Sequence, residues 1–145
     1  MAEPVPGLVI RYSYLWRSEA KAGQEEGLKD RPCAVIIAMK DDGERTRVYV
    51  APVTHTLPQD PRHAIEIPAE TKRRLGLDDQ RSWIVTTDLN AFTWPGPDVR
   101  PVIRSGALRH FFYGHLPNNM TRDLVANIRE RAREGQAQAV NWDEP

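Results

Sequence analysis

Two apolar runs of strand length, joined across an Asp-Gly turn between Arg31 and Thr56, constrain this chain more than any other stretch. Cys33 to Met39 is unbroken and rich in Val and Ile, and Arg47 to Val53 is a second β-branched segment that ends at a proline-containing turn. Both read as strands, and Asp42-Gly43 between them is a strong hairpin signal, because a two-residue loop needs positive φ at its central positions. With Asp42 and Gly43 as the loop, Asp41 faces Glu44, Met39 faces Thr46, Ile37 faces Val48, Val35 faces Val50 and Arg31 faces Thr54. Alternation then gathers Cys33, Val35, Ile37, Met39, Val48, Val50 and Pro52 on one apolar face, with Arg31 and Thr54 at its open end. A guanidinium and a hydroxyl become cross-strand neighbours, with Cα atoms about 4.5 to 5.5 Å apart. Such a pair is suited to holding a phosphate.

The rest of the chain supports a small, mostly β domain. Leu8 to Trp16 alternates as a first strand, and Arg17 to Asp30 is a long polar loop. Leu57 to Arg62 is a turn and Ala64 to Ile67 a short strand, followed by one or two helical turns over Pro68 to Leu75 that stop at Gly76. Lys72, Arg73 and Arg74 there read as a solvated helix face. Trp83 to Leu89 and Arg100 to Arg104 are further strand candidates. Aromatic and basic groups interleave in Arg109 to His115, a mix able to stack bases. Adjacent aromatics more often pack a core or a dimer interface, which is the role expected of this stretch. Asn119 to Glu134 is the one long helix, with Met120, Leu124, Ile128 and Ala132 on its apolar line, Asn118 or Asn119 as cap and Gly135 as stop. Residues 136–145 read as a flexible tail in which Trp142 is unexpected.

At 145 residues the chain fits a single domain over 1–145, large enough to bury a core without disulfides or metals. Twenty basic residues balance twenty acidic ones, so nucleic-acid contact would need a local basic patch. The single Cys33 excludes an internal disulfide and fits a reducing cytoplasm, as a buried structural thiol rather than a nucleophile. No signal peptide and no bilayer-spanning apolar run are expected. Phosphate-binding Gly-Lys loops, a His-Glu-x-x-His helix and a Gly-x-Ser-x-Gly elbow are missing, and four scattered histidines make no zinc pattern.

Gly-Leu-Val-Ile-Arg-Tyr from Gly7, then Lys-Asp-Arg-Pro-Cys-Ala-Val-Ile-Ile and Val-Tyr-Val-Ala-Pro-Val-Thr-His-Thr, resembles the MazF/PemK toxins of type II toxin-antitoxin systems over roughly residues 7 to 104. Arg31-Pro32 and Ala51-Pro52-Val53-Thr54 correspond to the motifs that carry that family's catalytic Arg and Thr. The resemblance implies a small SH3-like β-barrel with a C-terminal helix that forms a homodimer. It implies a sequence-specific, metal-independent endoribonuclease without cofactor, cutting single-stranded RNA and held in check by a separate antitoxin. Arg31 and Thr54 are the implied catalytic pair. The loop of 17–30 would border the RNA groove, with Arg17 and Lys29 as candidate RNA-binding cations. In the first strand Arg11 and Tyr12 depart from the family's usual acidic or aromatic pair, and no role is carried over to them.

Metal-free cleavage by the RNA 2′-hydroxyl needs a base, charge stabilisation at the phosphorane and an acid for the leaving oxygen. Arg31 suits the second role, and Thr54 adds a hydroxyl bond. A guanidinium is a poor base. His55 has the side chain whose ordinary pKa suits proton transfer near neutrality, but strict alternation turns it away from Arg31 and Thr54 unless the strand bends. Glu25 and Glu26 on the polar loop are the next candidates. Residue type and spacing alone favour a structural Arg31–Thr54 hydrogen bond closing the hairpin; the resemblance favours catalysis. The alternatives are a non-catalytic barrel of the same shape that binds RNA, or one that blocks a protein target such as a topoisomerase.

Overall fold

The computed structural model describes residues 4–13, 30–40, 43, 45–94, 99–100, 102–104, 108–110 and 112–141. The fold is mostly β, with one long helix near the C-terminus. Strands β1 (Leu8–Ser13), β2 (Asp30–Lys40) and β3 (Thr46–Thr54) form an antiparallel meander. Strand β3 is then shared. Arg47 to Val50 pair with β6 (Asp88–Thr93), whereas Val53 and Thr54 pair with β5 (Trp83–Val85), which pairs in turn with β4 (Ala64–Glu66). On the far side β1 takes β10 (Phe112–His115) and β7 (Val99–Arg100), while β8 (Val102–Arg104) and β9 (Leu108–His110) make a separate ribbon. Among the described residues the ladder path runs from β10 to β4 without joining its ends, so the sheet is open.

The central strands are buried on both sides. Leu8, Ile10, Tyr12, Cys33, Val35, Val48, Val50 and Phe92 form one core, in which the Tyr12 and Phe92 rings stack 4.7 Å apart. Val9, Ala34, Ile36, Ala51, Val53 and Ile84 form the other, beneath the helices α1 (Ala69–Leu75) and α2 (Asn118–Arg133). Double-sided burial explains why Cys33 to Ile36 is continuously apolar rather than alternating.

The hairpin register holds in its inner half, with Cys33 opposite Pro52 and Val35 opposite Val50, and shifts in its outer half. Ile36 is an extra residue in a β-bulge, so Ile37 lies opposite Tyr49, Met39 opposite Arg47 and Lys40 opposite Thr46. Ile36 follows Ala34 into the helix-side core, at 2 % exposure, while the bulge takes Ile37 and Met39 off the inner face and leaves them 41 % and 51 % exposed. Neither therefore belongs to the inner apolar face. Asp41, Asp42 and Glu44 of the expected turn lie outside the described residues, as do residues 14–16 of the expected first strand and Trp142.

Helix α2 buries Met120, Leu124 and Ile128, but its fourth inward position is Arg131 rather than Ala132. At about 100° per residue, three steps of four drift about 120° from Met120, whereas eleven residues return to within about 20°. Arg131 donates there to the Arg62 carbonyl at 3.0 Å and to Glu134 Oε2 at 3.4 Å, and its Nε lies 2.8 Å from the same carboxylate without an aligned hydrogen bond. Pro117 precedes the helix without a side-chain cap, so neither Asn118 nor Asn119 caps it. Gly135 ends it at φ 75°, its N–H bonding the Ala132 carbonyl. Where the sequence suggests a tail, β11 (Gln138–Asn141) lies parallel to β6. Among the described residues no helix is long and apolar enough to cross a membrane.

Candidate functional site

The β2–β3 ladder ends at Cys33 opposite Pro52. Neither Pro32 nor Pro52 has an N–H to offer across this end. Beyond it Arg31 pairs with Tyr12 on β1, and Thr54 with Trp83 on β5. Arg31 and Thr54 are thus held by different outer strands, and both line a cleft of about 800 Å³ with His55, Leu57, Asp60, His63 and Thr87. A second cleft, of about 320 Å³, takes in the same Arg31, Thr54 and His55 together with Lys72, Asp78, Ser82 and Tyr113. The expected pair and the expected histidine therefore share the boundary of two recesses.

Local chemistry sets each group. The Arg31 guanidinium is half-buried, and its Nη1 donates to the Val53 carbonyl at 3.4 Å, anchoring it beside Thr54. Thr54 Oγ1 accepts from the Thr56 N–H at 3.2 Å, a side-chain turn that bends the chain as β3 stops. Its own O–H is still able to donate. That bend is how His55 reaches the clefts that Arg31 and Thr54 line, although strict alternation would have turned it to the opposite face.

His55 Nε2 lies 2.7 Å from Asp78 Oδ2. The other oxygen, Oδ1, accepts from Lys72 Nζ at 2.5 Å and from the Gln80 N–H at 3.1 Å. Lys72 is only 4 % exposed, and its remaining bonds go to Ser82 Oγ at 2.6 Å and to the Gln80 carbonyl. The solvated basic cluster is corrected here: Arg73 and Arg74 are exposed, but Lys72 is buried and paired. Desolvation alone would raise the Asp78 pKa. The hydrogen bonds from Lys72, His55 and the Gln80 N–H, with the Lys72 charge, outweigh it and hold the carboxyl below its usual range. The return of the chain from Lys72 to Asp78 runs through Gly76, whose φ of 75° is the left-handed stop of α1.

In the larger cleft, His63 Nε2 lies 3.0 Å from Gln136 Oε1 and 3.5 Å from Asp60 Oδ2. Asp60 is held well below the usual carboxylate range by its bonds from the Arg62 side chain and backbone. Cys33 is fully buried with its Sγ 3.7 Å from the Arg31 carbonyl; burial drives the thiol far up, and the Arg31 charge only partly opposes this. It is not a nucleophile at neutral pH.

Arg31, Thr54 and His55 are thus brought together. Arg17, Glu25, Glu26 and Lys29 lie outside the described residues. Asp78 and Lys72 were missed by sequence reading. One signal was available: Lys72 is three residues before Leu75, on the helix face that Leu75 turns inward. Among the described residues no three His, Cys, Asp or Glu groups gather as a metal site. No family model matches the chain, and no curated protein matches it.

Proposed function

We propose that this chain is a sequence-specific, metal-independent endoribonuclease of the kind found among MazF/PemK toxins. The observation that carries the reading is the convergence of Arg31, Thr54 and His55 on the boundary of two clefts, the larger about 800 Å³. An extended single strand of RNA can cross there with a nucleotide on either side of one phosphate. Arg31 offers planar donors to the phosphate oxygens, and Thr54 adds its hydroxyl. The 2′-hydroxyl gives its proton to His55, O2′ bonds to phosphorus, and the P–O5′ bond breaks as the 5′-oxygen takes up a proton from solvent. The products are a 2′,3′-cyclic phosphate and a 5′-hydroxyl. Arg31 opposes the charge that builds on the phosphorane, the kind of donor whose loss costs about 10²- to 10³-fold in rate.

The same reading carries an SH3-like curl of the sheet, a homodimer acting in the cytoplasm, and a separate antitoxin chain that occupies the RNA groove. The free, buried Cys33 fits a reducing compartment. The test is cleavage of a long unstructured RNA in EDTA by the wild type and by Arg31→Ala and Thr54→Ala. Site-specific cutting that falls at least about 10²-fold in both variants supports the reading. RNA left intact by a folded wild type would overturn it in favour of the non-catalytic barrel.

A further inference from the structure

The proton-transfer role of His55 raises the question of what prepares an exposed imidazole for it. Its side chain is 51 % accessible, and a surface histidine with two tautomers and free rotamers is a poorly aimed base. This one is not unaided. A carboxylate oxygen can only accept, so the 2.7 Å approach of Asp78 Oδ2 requires His55 Nε2 to carry a proton. In the neutral ring the lone pair then resides on Nδ1. Asp78 is itself fixed by three donors, His55 Nε2, the Gln80 N–H and Lys72 Nζ. Lys72 in turn places its ammonium bonds on Asp78, Ser82 and the Gln80 carbonyl, within a pocket that leaves it 4 % exposed. A surface ion pair would be worth little, but a nearly fully buried ammonium with its partners in place is a fixed counter-charge.

We infer that Asp78 is a positioning residue that locks His55 as the Nε2–H tautomer, presenting Nδ1 as the atom that takes the 2′-hydroxyl proton, with Lys72 as the buried anchor of Asp78. This rests on the ribonuclease reading. When Nδ1 accepts the proton the ring becomes an imidazolium, and the Asp78 carboxylate beside Nε2 offsets the new charge without itself taking a proton. Arg31 and Thr54 act on the phosphate, whereas Asp78 acts on the reaction only through the base.

Two readouts on the full-length protein separate this role from a merely structural one. The first is the ring nitrogen shifts of His55 in long-range proton–nitrogen spectra at alkaline pH, assigned with His55→Gln. The wild type shows a single Nε2–H tautomer. Asp78→Ala moves both nitrogens towards the averaged values of a free histidine. The second is steady-state cleavage at one mapped site in EDTA, where Asp78→Ala lowers kcat by about 10²-fold and leaves KM within about twofold. Asp78→Ala strands a buried ammonium and can unfold the chain, so Lys72→Met with Asp78→Asn is made in parallel; it removes both charges and shows the same loss in kcat. A wild type that leaves RNA intact overturns the ribonuclease reading and this role with it. A wild type that cuts RNA, with His55 nitrogens unmoved in Asp78→Ala or with kcat preserved in a folded variant, overturns the positioning role alone.

Discussion

At the scale of single residues, burial decides which groups can react. Cys33 is 0 % exposed and its thiol is driven far above the ordinary range, so it should resist a thiol reagent at pH 8 in native protein and react at once in denaturant. Fast labelling of the native chain would contradict the packing around β2. Asp78 makes a pH prediction whose sign follows from its depressed pKa. The folded value lies below the unfolded one of about 3.9. The ionised carboxylate therefore contributes its full stability above that unfolded value and loses it as pH falls through the folded one. Acid unfolding followed by circular dichroism should accordingly be less steep below about pH 4 in Asp78→Asn with Lys72→Met than in the wild type. An identical acid limb in both would mean that the carboxylate does not gain its partners on folding. Lys72 and Asp78 also show what sequence conceals: a lysine in a basic run looks solvated until the chain beyond Gly76 brings a carboxylate, a carbonyl and a hydroxyl to it.

At the scale of elements, the long helix and the bulged hairpin hold the second core. Leu124 is fully buried between α2 and the sheet, so Leu124→Ala should cost about 2–5 kcal/mol in denaturant unfolding. Gly7, just before β1, sits at φ 92°, and a Cβ there would meet Thr121 Oγ1 of α2 at 2.5 Å. Gly7→Ala should therefore lose about 1–3 kcal/mol, both from the left-handed backbone and from pushing β1 off the helix; an unchanged unfolding midpoint would refute that docking. Strands and helix were readable because period 2 and period 3.6 survive in β1, β3 and α2. The bulge at Ile36 was not. Nothing local distinguishes Ile36 from Ile37, and only the packing of one against α2 and the exposure of the other choose between them. Likewise β11 is a strand because β6 offers it an edge, a non-local reason that residues 138–141 do not carry themselves.

At the scale of the whole molecule, function rests on where the chain's turns bring distant residues. Arg31 and Thr54 could be picked out in sequence because both cap the open end of one hairpin whose inner register is simple. That His55 joins them depends on the turn made by Thr54 Oγ1 and Thr56 N–H, which overrides the alternation of the strand. Asp78 reaches His55 from 23 residues away, beyond any local pattern. Two clefts meet at these residues, and on the proposed ribonuclease reading one phosphate of an RNA strand would lie at their shared boundary. The most direct measurement is therefore of the ends that the protein leaves on RNA in EDTA. Terminal mapping should find a 2′,3′-cyclic phosphate on the upstream fragment and a 5′-hydroxyl on the downstream one, with both lost in Arg31→Ala. Uncut RNA, or fragments ending in a 3′-hydroxyl and a 5′-phosphate, would contradict the account.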